Sequence, residues 1–138
     1  MDELVRDIMT KDLLTISEKD TALKAAQLMS EKGVSSLIVL SDDQPIGIIT
    51  ERDFIKKVCL KELKLSTVKV GDMMSKIRTS ASPDTSIDVA VQRMVNNRIR
   101  RLPIIDNGKL VGIITVTDLA KHLRTILLLN RAVSHPST

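Results

Sequence analysis

Two stretches of this chain carry the same kinds of side chain in the same order, Gly47-Ile48-Ile49-Thr50-Glu51-Arg52-Asp53 and Gly112-Ile113-Ile114-Thr115-Val116-Thr117-Asp118. Each sets a hydroxyl three residues ahead of a carboxylate, directly after an apolar run. An ionised carboxylate only accepts hydrogen bonds and has lone pairs enough for two neighbouring hydroxyls of one ligand. A threonine opening a helix stands beside free N–H groups and the positive end of the helix dipole, where an anion is stabilised. Binding a hydroxyl-bearing anion is therefore one chemistry open to Thr50 with Asp53 and to Thr115 with Asp118. The other needs no ligand, because Thr-x-x-acid is also a capping box that satisfies N–H groups of its own helix. Arg98-Ile99-Arg100-Arg101 brings cations shortly before the second motif. Their guanidinium groups suit bidentate phosphate contacts, or a solvated charged edge.

Catalytic chemistry has less support. No nucleophile, base and orienting group fall together in the chain. Cys59, the single cysteine, can form neither an internal disulfide nor a metal cluster by itself and reads as a half-buried helix thiol. His122 and His135 lie apart, without a cysteine or a second histidine beside either, so no metal site and no catalytic residue is expected. Phe54 is the sole aromatic, which leaves no stacking platform for single-stranded nucleic acid. A binding or interaction module, and not an enzyme, is the expectation.

The elements that must position these residues repeat as well. Shifted by 65 residues, Val5, Asp7, Met9, Lys11, Ala25, Gln27, Met29 and Leu37 fall on Val70, Asp72, Met74, Lys76, Ala90, Gln92, Met94 and Leu102, so the chain is a tandem duplication. In the first copy, 13–16 predicts a strand, and Asp20 or Thr21 caps a helix that turns Leu23, Ala25, Ala26, Leu28 and Met29 inward until Gly33 stops it. The apolar runs 37–40 and 46–49 flank a polar turn and predict a hairpin. The second copy repeats it with 102–105 and 110–114 around Asn107-Gly108, whose residues tolerate positive φ. A second helix then starts at Thr50 through Phe54, Ile55 and Val58, or at Thr115 through Leu119, Ala120 and Leu123. Residues 1–10 read as an amphipathic helix through Leu4, Val5, Ile8 and Met9, and 61–70 as a linker. The stretch 126–129 is too apolar to be left bare, so it either extends the last helix over the core or covers a partner. The tail 134–138 is expected to fray.

Bulk composition agrees with a globular protein: 43% of residues are hydrophobic and 28% charged, which is wrong for a disordered or fibrous chain. Each copy of about 60 residues buries too little surface to stand comfortably alone, so the copies are expected to pack on each other. No apolar run reaches the roughly 20 residues of a membrane span, and Met1-Asp2-Glu3 lacks the basic start of a secretory signal, which points to the cytoplasm. Lys and Arg number 10 against 12 Asp and Glu through residue 64, but 11 against 5 from residue 65 on. The second half therefore holds the positive charge.

The duplicated β-α-β-β-α order with Gly-Ile-Ile-Thr-x-x-Asp at each second helix resembles the cystathionine-β-synthase (CBS) domain. The tandem resembles the stand-alone pair called a Bateman module. The resemblance covers about residues 4 to 124, helped by Asp7-Ile8-Met9, Asp72-Met73-Met74 and Arg100-Arg101-Leu102-Pro103-Ile104-Ile105-Asp106. It implies an α/β (α+β) fold of two pseudo-twofold-related repeats packed through their sheets: repeat 1 over 1–64, repeat 2 over 65–124, and a C-terminal helix extension and tail over 125–138. It also implies a non-catalytic regulatory sensor, homodimeric, that binds AMP, ADP, ATP or S-adenosylmethionine between the repeats and acts on a client protein, with no cofactor required. Nucleic-acid and membrane partners are not implied.

Transferred onto this sequence, the family pattern implies a favoured cleft made by Thr10, Leu14, Ser35, Arg100, Arg101, Thr115, Thr117 and Asp118. A second cleft would use Ser36, Thr50, Arg52, Asp53, Ser75, Thr79 and Arg100. The carboxylates would take ribose hydroxyls and the threonines and arginines phosphate, while backbone near Leu14 and Arg78, beside Ile38 and Ile104, would hold adenine. Ser35-Ser36 stand where the second copy has Arg100-Arg101, so the second cleft is the poorer in positive charge. The alternative is a ligand-free dimeric scaffold that docks on a protein partner.

Overall fold

The computed structural model describes residues 3–134, with side chains through 131; of the tail expected to fray, Ser134 closes the last helix, and 135–138, with His135, lie outside the described residues. Six strands and five helices follow one another as β1 (Thr15–Ser17), α1 (Ala22–Lys32), β2 (Ser36–Ser41), β3 (Gln44–Thr50), α2 (Glu51–Phe54), α3 (Val70–Met73), β4 (Ser75–Lys76), α4 (Ile87–Asn97), β5 (Arg101–Asp106), β6 (Lys109–Thr115) and α5 (Val116–Ser134). The two compact units they form are not the two sequence copies. One comprises 12–78 with the hairpin tip 107–110; the other comprises 1–11, 79–106 and 111–138. The opening segment of each copy has thus crossed to the other copy's unit.

In the first of these units, β1 to β4 make one sheet in sequence order, with β1 parallel to β2 and the remaining neighbours antiparallel. The β2–β3 turn places Asp42 and Asp43 at φ 47° and 65°, the paired left-handed geometry that matches the twist of a two-residue hairpin. Helix α1 begins at Thr21, whose hydroxyl accepts from Lys24 N, and ends at Gly33 with φ 64°. Its buried stripe is Ala22, Ala25 and Met29. Leu23, expected inside, lies one residue off that 3.6-residue stripe and is exposed. The core joins these residues to Ile16, Leu37, Val39, Ile49 and Val58, and also to Val70 and Met73 from the start of the second copy.

The stretch 61–70 is more than a linker. Val68 O accepts from Ala22 N at 2.8 Å and Asp20 O from Val70 N at 2.8 Å, so this segment supplies a partner to one of the free N–H groups opening α1. Helix α2 also departs from expectation. After one α turn it widens into a π turn over Ile55–Cys59, with Leu60 N donating to Ile55 O, and Ile55 faces outward at 55% exposure. Cys59 is exposed, not half-buried.

The other unit is built on the paired strands β5 and β6, whose connecting residues Asn107 and Gly108 take φ 51° and 78°. Its outer strands have shrunk to single bridges, Ala81 beside Ile104 and Thr10 beside Ile113. One cause is visible in the sequence. In the first copy Ile38 N donates to Leu14 O, but Pro103 stands at the corresponding place in β5 and has no N–H to give. The core holds Ala90, Met94, Leu102, Ile104 and Ile114 together with Val5 from the chain start. Residues 1–10 do not form the expected amphipathic helix. Within 3–10 there is one 3-10 turn, Val5–Asp7, because Val5 N and Arg6 N donate outward to Thr85 O and Pro83 O, and Arg6 forms an ion pair with Asp84. Helix α5 runs unbroken from Val116 to Ser134. Leu123 is exposed, and so are Leu127, Leu128 and Leu129. The apolar stretch 126–129 therefore extends the helix, but its three leucines are left in solvent.

Candidate ligand-binding site

In each unit the Thr-x-x-Asp motif sits where the hairpin's second strand turns into a helix, so strand and helix together fix its hydroxyl and carboxylate. Thr50 N donates to Asp53 Oδ2 at 2.9 Å, and Thr115 N donates to Asp118 Oδ2 at 2.9 Å. The threonine hydroxyls add bonds to the same oxygens, at 3.3 Å from Thr50 and 3.0 Å from Thr115. At Thr115 the box closes, with Asp118 N donating back to Oγ1 at 3.1 Å. The capping geometry is thus real, and it uses only one carboxylate oxygen. The other, Oδ1, is the one left for other partners.

What reaches Oδ1 comes from the opening segments that crossed between copies. Thr10 Oγ1 donates to Asp118 Oδ1 at 3.0 Å, and Ser75 Oγ, its counterpart 65 residues on, donates to Asp53 Oδ1 at 3.0 Å. The approach is close because the glycine of each motif lets it be. A Cβ on Gly112 would stand 2.6 Å from Met9 Sδ, and one on Gly47 would stand 2.4 Å from Met74 Sδ. These glycines seat the methionine that precedes the hydroxyl residue, a role not evident from the motif alone. Met29 and Met94 are core residues, as expected.

The other predicted residues divide between the two units. In the unit of Asp118, Arg100 is exposed and its carbonyl accepts from Val116 N at 3.1 Å, so it adjoins the first turn of α5. Exposed Thr117 lies in that same turn, half-buried Arg101 opens β5, and half-buried Thr79 lies ahead of Ala81. In the unit of Asp53, Ser36 is the register partner of Thr50 across β2 and β3. Arg52 is exposed in α2, half-buried Leu14 precedes β1, and exposed Arg78 follows β4. Exposed Ser35 lines an open groove of about 640 Å³ with Ala26, Met29, Ser30, Gly33, Val34, Glu51, Phe54 and Ile55. Ile38 and Ile104 are buried, the latter fully, which commits Ile104 to its core.

One neighbour of the motifs was not singled out in the sequence. Lys57 Nζ lies 3.2 Å from Asp53 Oδ1 and donates to Met74 O at 3.1 Å. Its counterpart His122 pairs instead with Glu3. The available signal was the i,i+4 spacing of Asp53 and Lys57, which puts them on one helical face. Asp53 is 6% exposed, whereas Asp118 is half-buried. Among the described residues, no group of three His, Cys, Asp or Glu side chains has metal-holding geometry, and no helix is long and apolar enough to cross a membrane.

Comparison with known proteins agrees with this architecture. The CBS domain model matches residues 5–59 and again 70–125. The chain is similar to an uncharacterised protein of Methanopyrus kandleri, 40% identical over 117 residues, 83% of this chain and 60% of that protein. It is also similar to an inosine-5'-monophosphate dehydrogenase of Methanocaldococcus jannaschii, 37% identical over 117 residues, 83% of this chain and 22% of the enzyme. The chain therefore spans less than two thirds of either relative. Among solved structures, a putative signal-transduction protein with CBS domains from Burkholderia ambifaria superimposes with a TM-score of 0.80 at 33% identity, covering 88% of this chain and 93% of that one. With both copies of its repeat matched by the family model and its fold shared with a solved member, the chain belongs to the CBS-domain family as a tandem pair.

Proposed function

We propose that this CBS pair is a non-catalytic sensor whose ligand is an adenine nucleotide or an adenosyl compound such as S-adenosylmethionine, held at Asp118. Pairs of this family are generally regulatory, ligand-binding modules, which supports the broader part of the reading. The observation that carries the finer part is the state of the Asp118 carboxylate. Its Oδ2 is fixed by Thr115, while Oδ1 takes a bond from the Thr10 hydroxyl, a partner that ribose hydroxyls can replace like for like. Arg100 adjoins the first turn of the same 19-residue helix, where phosphate gains from the guanidinium and the helix dipole. Arg101 and Thr117, of the same unit, complete the proposed ligand set. Ligand binding biases the module only by its differential affinity for alternative shapes. A homodimer joined through the exposed leucines of α5, acting on a client protein in the cytoplasm, is part of the same proposal.

The test is thermal unfolding of the purified protein against AMP, ADP, ATP, GTP and S-adenosylmethionine, beside Asp118→Ala. Ligand at about 100 times its dissociation constant adds roughly 2.7 kcal/mol of stability, a rise of several degrees in Tm for a domain of this size. The expected outcome is a rise with adenine ligands that Asp118→Ala abolishes. No rise with any of them would favour the scaffold that docks on a protein through α5.

A further inference from the structure

The duplicated carboxylates differ in one partner that duplication did not preserve. We propose that the Lys57 ammonium is a built-in occupant of the Asp53 carboxylate, closing it to ligand hydroxyls and leaving Asp118 as the single carboxylate that exchanges ligand. This rests on the sensor reading above and deepens it, by assigning occupancy.

A carboxylate offers about four lone-pair directions. At Asp53 three hydrogen-bond donors meet them, Thr50 N and Thr50 Oγ1 on Oδ2 and Ser75 Oγ on Oδ1, and the Lys57 ammonium stands 3.2 Å from Oδ1 as an ion pair. At Asp118 only the Thr10 hydroxyl reaches Oδ1 among the described residues. The difference is one of kind as well as number. Exchanging a threonine hydroxyl for a ribose hydroxyl swaps one neutral donor for another. Displacing Lys57 breaks an ion pair to a buried acid and strips each charge of its counter-ion, which is costly where one partner is buried.

The ammonium is also anchored twice, since it donates to Met74 O as well. Met74 is the residue seated on Gly47 and the one before Ser75. The same side chain therefore ties the helix to the segment that delivers the serine. Lys57 rises from the π turn 55–59, a helical irregularity often found at functional sites. The Lys57 side chain is 35% exposed against 8% for Asp53, so the acid is the more deeply buried partner of the pair. His122 stands at the equivalent place in α5 but turns to Glu3, so the position that supplies Lys57 to Asp53 supplies no cation to Asp118.

The experiment counts AMP bound per chain by calorimetry in four proteins, with lysine acylation read by mass spectrometry alongside. The wild type should bind one AMP, Asp118→Asn none, Lys57→Met two, and Lys57→Met with Asp53→Asn one again. Lys57 should acylate more slowly than its exposed neighbour Lys56, and Asp53→Asn should remove that protection. Two AMP in the wild type, one AMP in Lys57→Met, or equal acylation of Lys56 and Lys57 would overturn the proposal. No AMP bound by the wild type or by Lys57→Met, with Lys57 still protected, overturns the sensor reading and the occupancy role with it, reducing Lys57 to a structural partner of Asp53.

Discussion

The Asp53 and Asp118 centres descend from one repeated motif and keep the same cap, yet they have become different objects. Both fix Oδ2 through a threonine N–H at 2.9 Å and bring a hydroxyl to Oδ1 at 3.0 Å. Around Asp53 the acid is buried and paired with Lys57; Asp118 is half-buried, lacks a partner from the helix position that Lys57 holds, and lies in the first turn of α5, which the Arg100 carbonyl joins through Val116 N. Capping preserves a motif because it serves the helix. Nothing in capping dictates what meets the spare oxygen, and there the copies were free to diverge. The comparison teaches that a shared motif reports a shared helix start, and that binding has to be argued from the partners of the one oxygen the cap does not use.

The difference can be broken or sharpened by substitution. Asp53→Ala should cost about 3 kcal/mol, since it strips three partner residues of a buried acceptor and leaves the Lys57 charge unpaired, while Asp118→Ala should cost about 1 kcal/mol for the lost cap and one exposed hydroxyl bond. Urea unfolding of the two variants measures the gap, and equal losses would mean that the centres are structurally equivalent. Next in size is the seat of the methionines. Gly47→Ala should cost about 2 kcal/mol, because the new Cβ meets Ser75 O at 2.9 Å as well as the Met74 sulfur. At Gly112 the nearest backbone atom, Thr10 O, stands at 3.1 Å, so Gly112→Ala should cost nearer 1 kcal/mol. Thermal unfolding ranks them, and a larger loss at Gly112 would reverse the assignment.

The smallest effect concerns the ends of the matched helices. Helix α1 ends on Gly33 at φ 64° and α4 on Arg98 at φ 53°, a left-handed conformation that suits glycine and strains other residues. Arg98→Gly should therefore raise stability by about 0.5–1 kcal/mol, and Gly33→Arg should lower it by about 1 kcal/mol. A Tm change of the same sign in both variants would show that side-chain contacts, and not backbone strain, govern these caps.

Much of the fold was legible in the residues. The two hairpins follow from apolar runs around pairs that accept positive φ, and α1 begins and ends where Thr21 and Gly33 say it should. Where the reading failed, a non-local partner had intervened. Leu23 looks apolar enough to bury but lies off the stripe its unit covers, and the expected first helix yields to a single turn because residues 83 and 85 take its N–H groups. At the candidate site, the carboxylates, threonines and arginines were visible as types at a spacing, while Lys57 and the two methionine seats were not.

Local interactions reach only a few residues along the chain, so the sequence by itself determined the caps, turns, element order and duplication. It could not determine which opening segment completes which core. Val5 and Val70 occupy matching positions in the two copies, and either would satisfy an apolar core, yet each is buried with the other copy's residues. The same holds for the spare oxygens. Thr10 reaches Asp118 across 108 residues of chain, and Ser75 reaches Asp53 across 22. Contacts at such separations are chosen by how the whole chain packs, so only the tertiary structure decided that the spare oxygen of Asp118 would meet the Thr10 hydroxyl and that of Asp53 the Ser75 hydroxyl and the Lys57 ammonium.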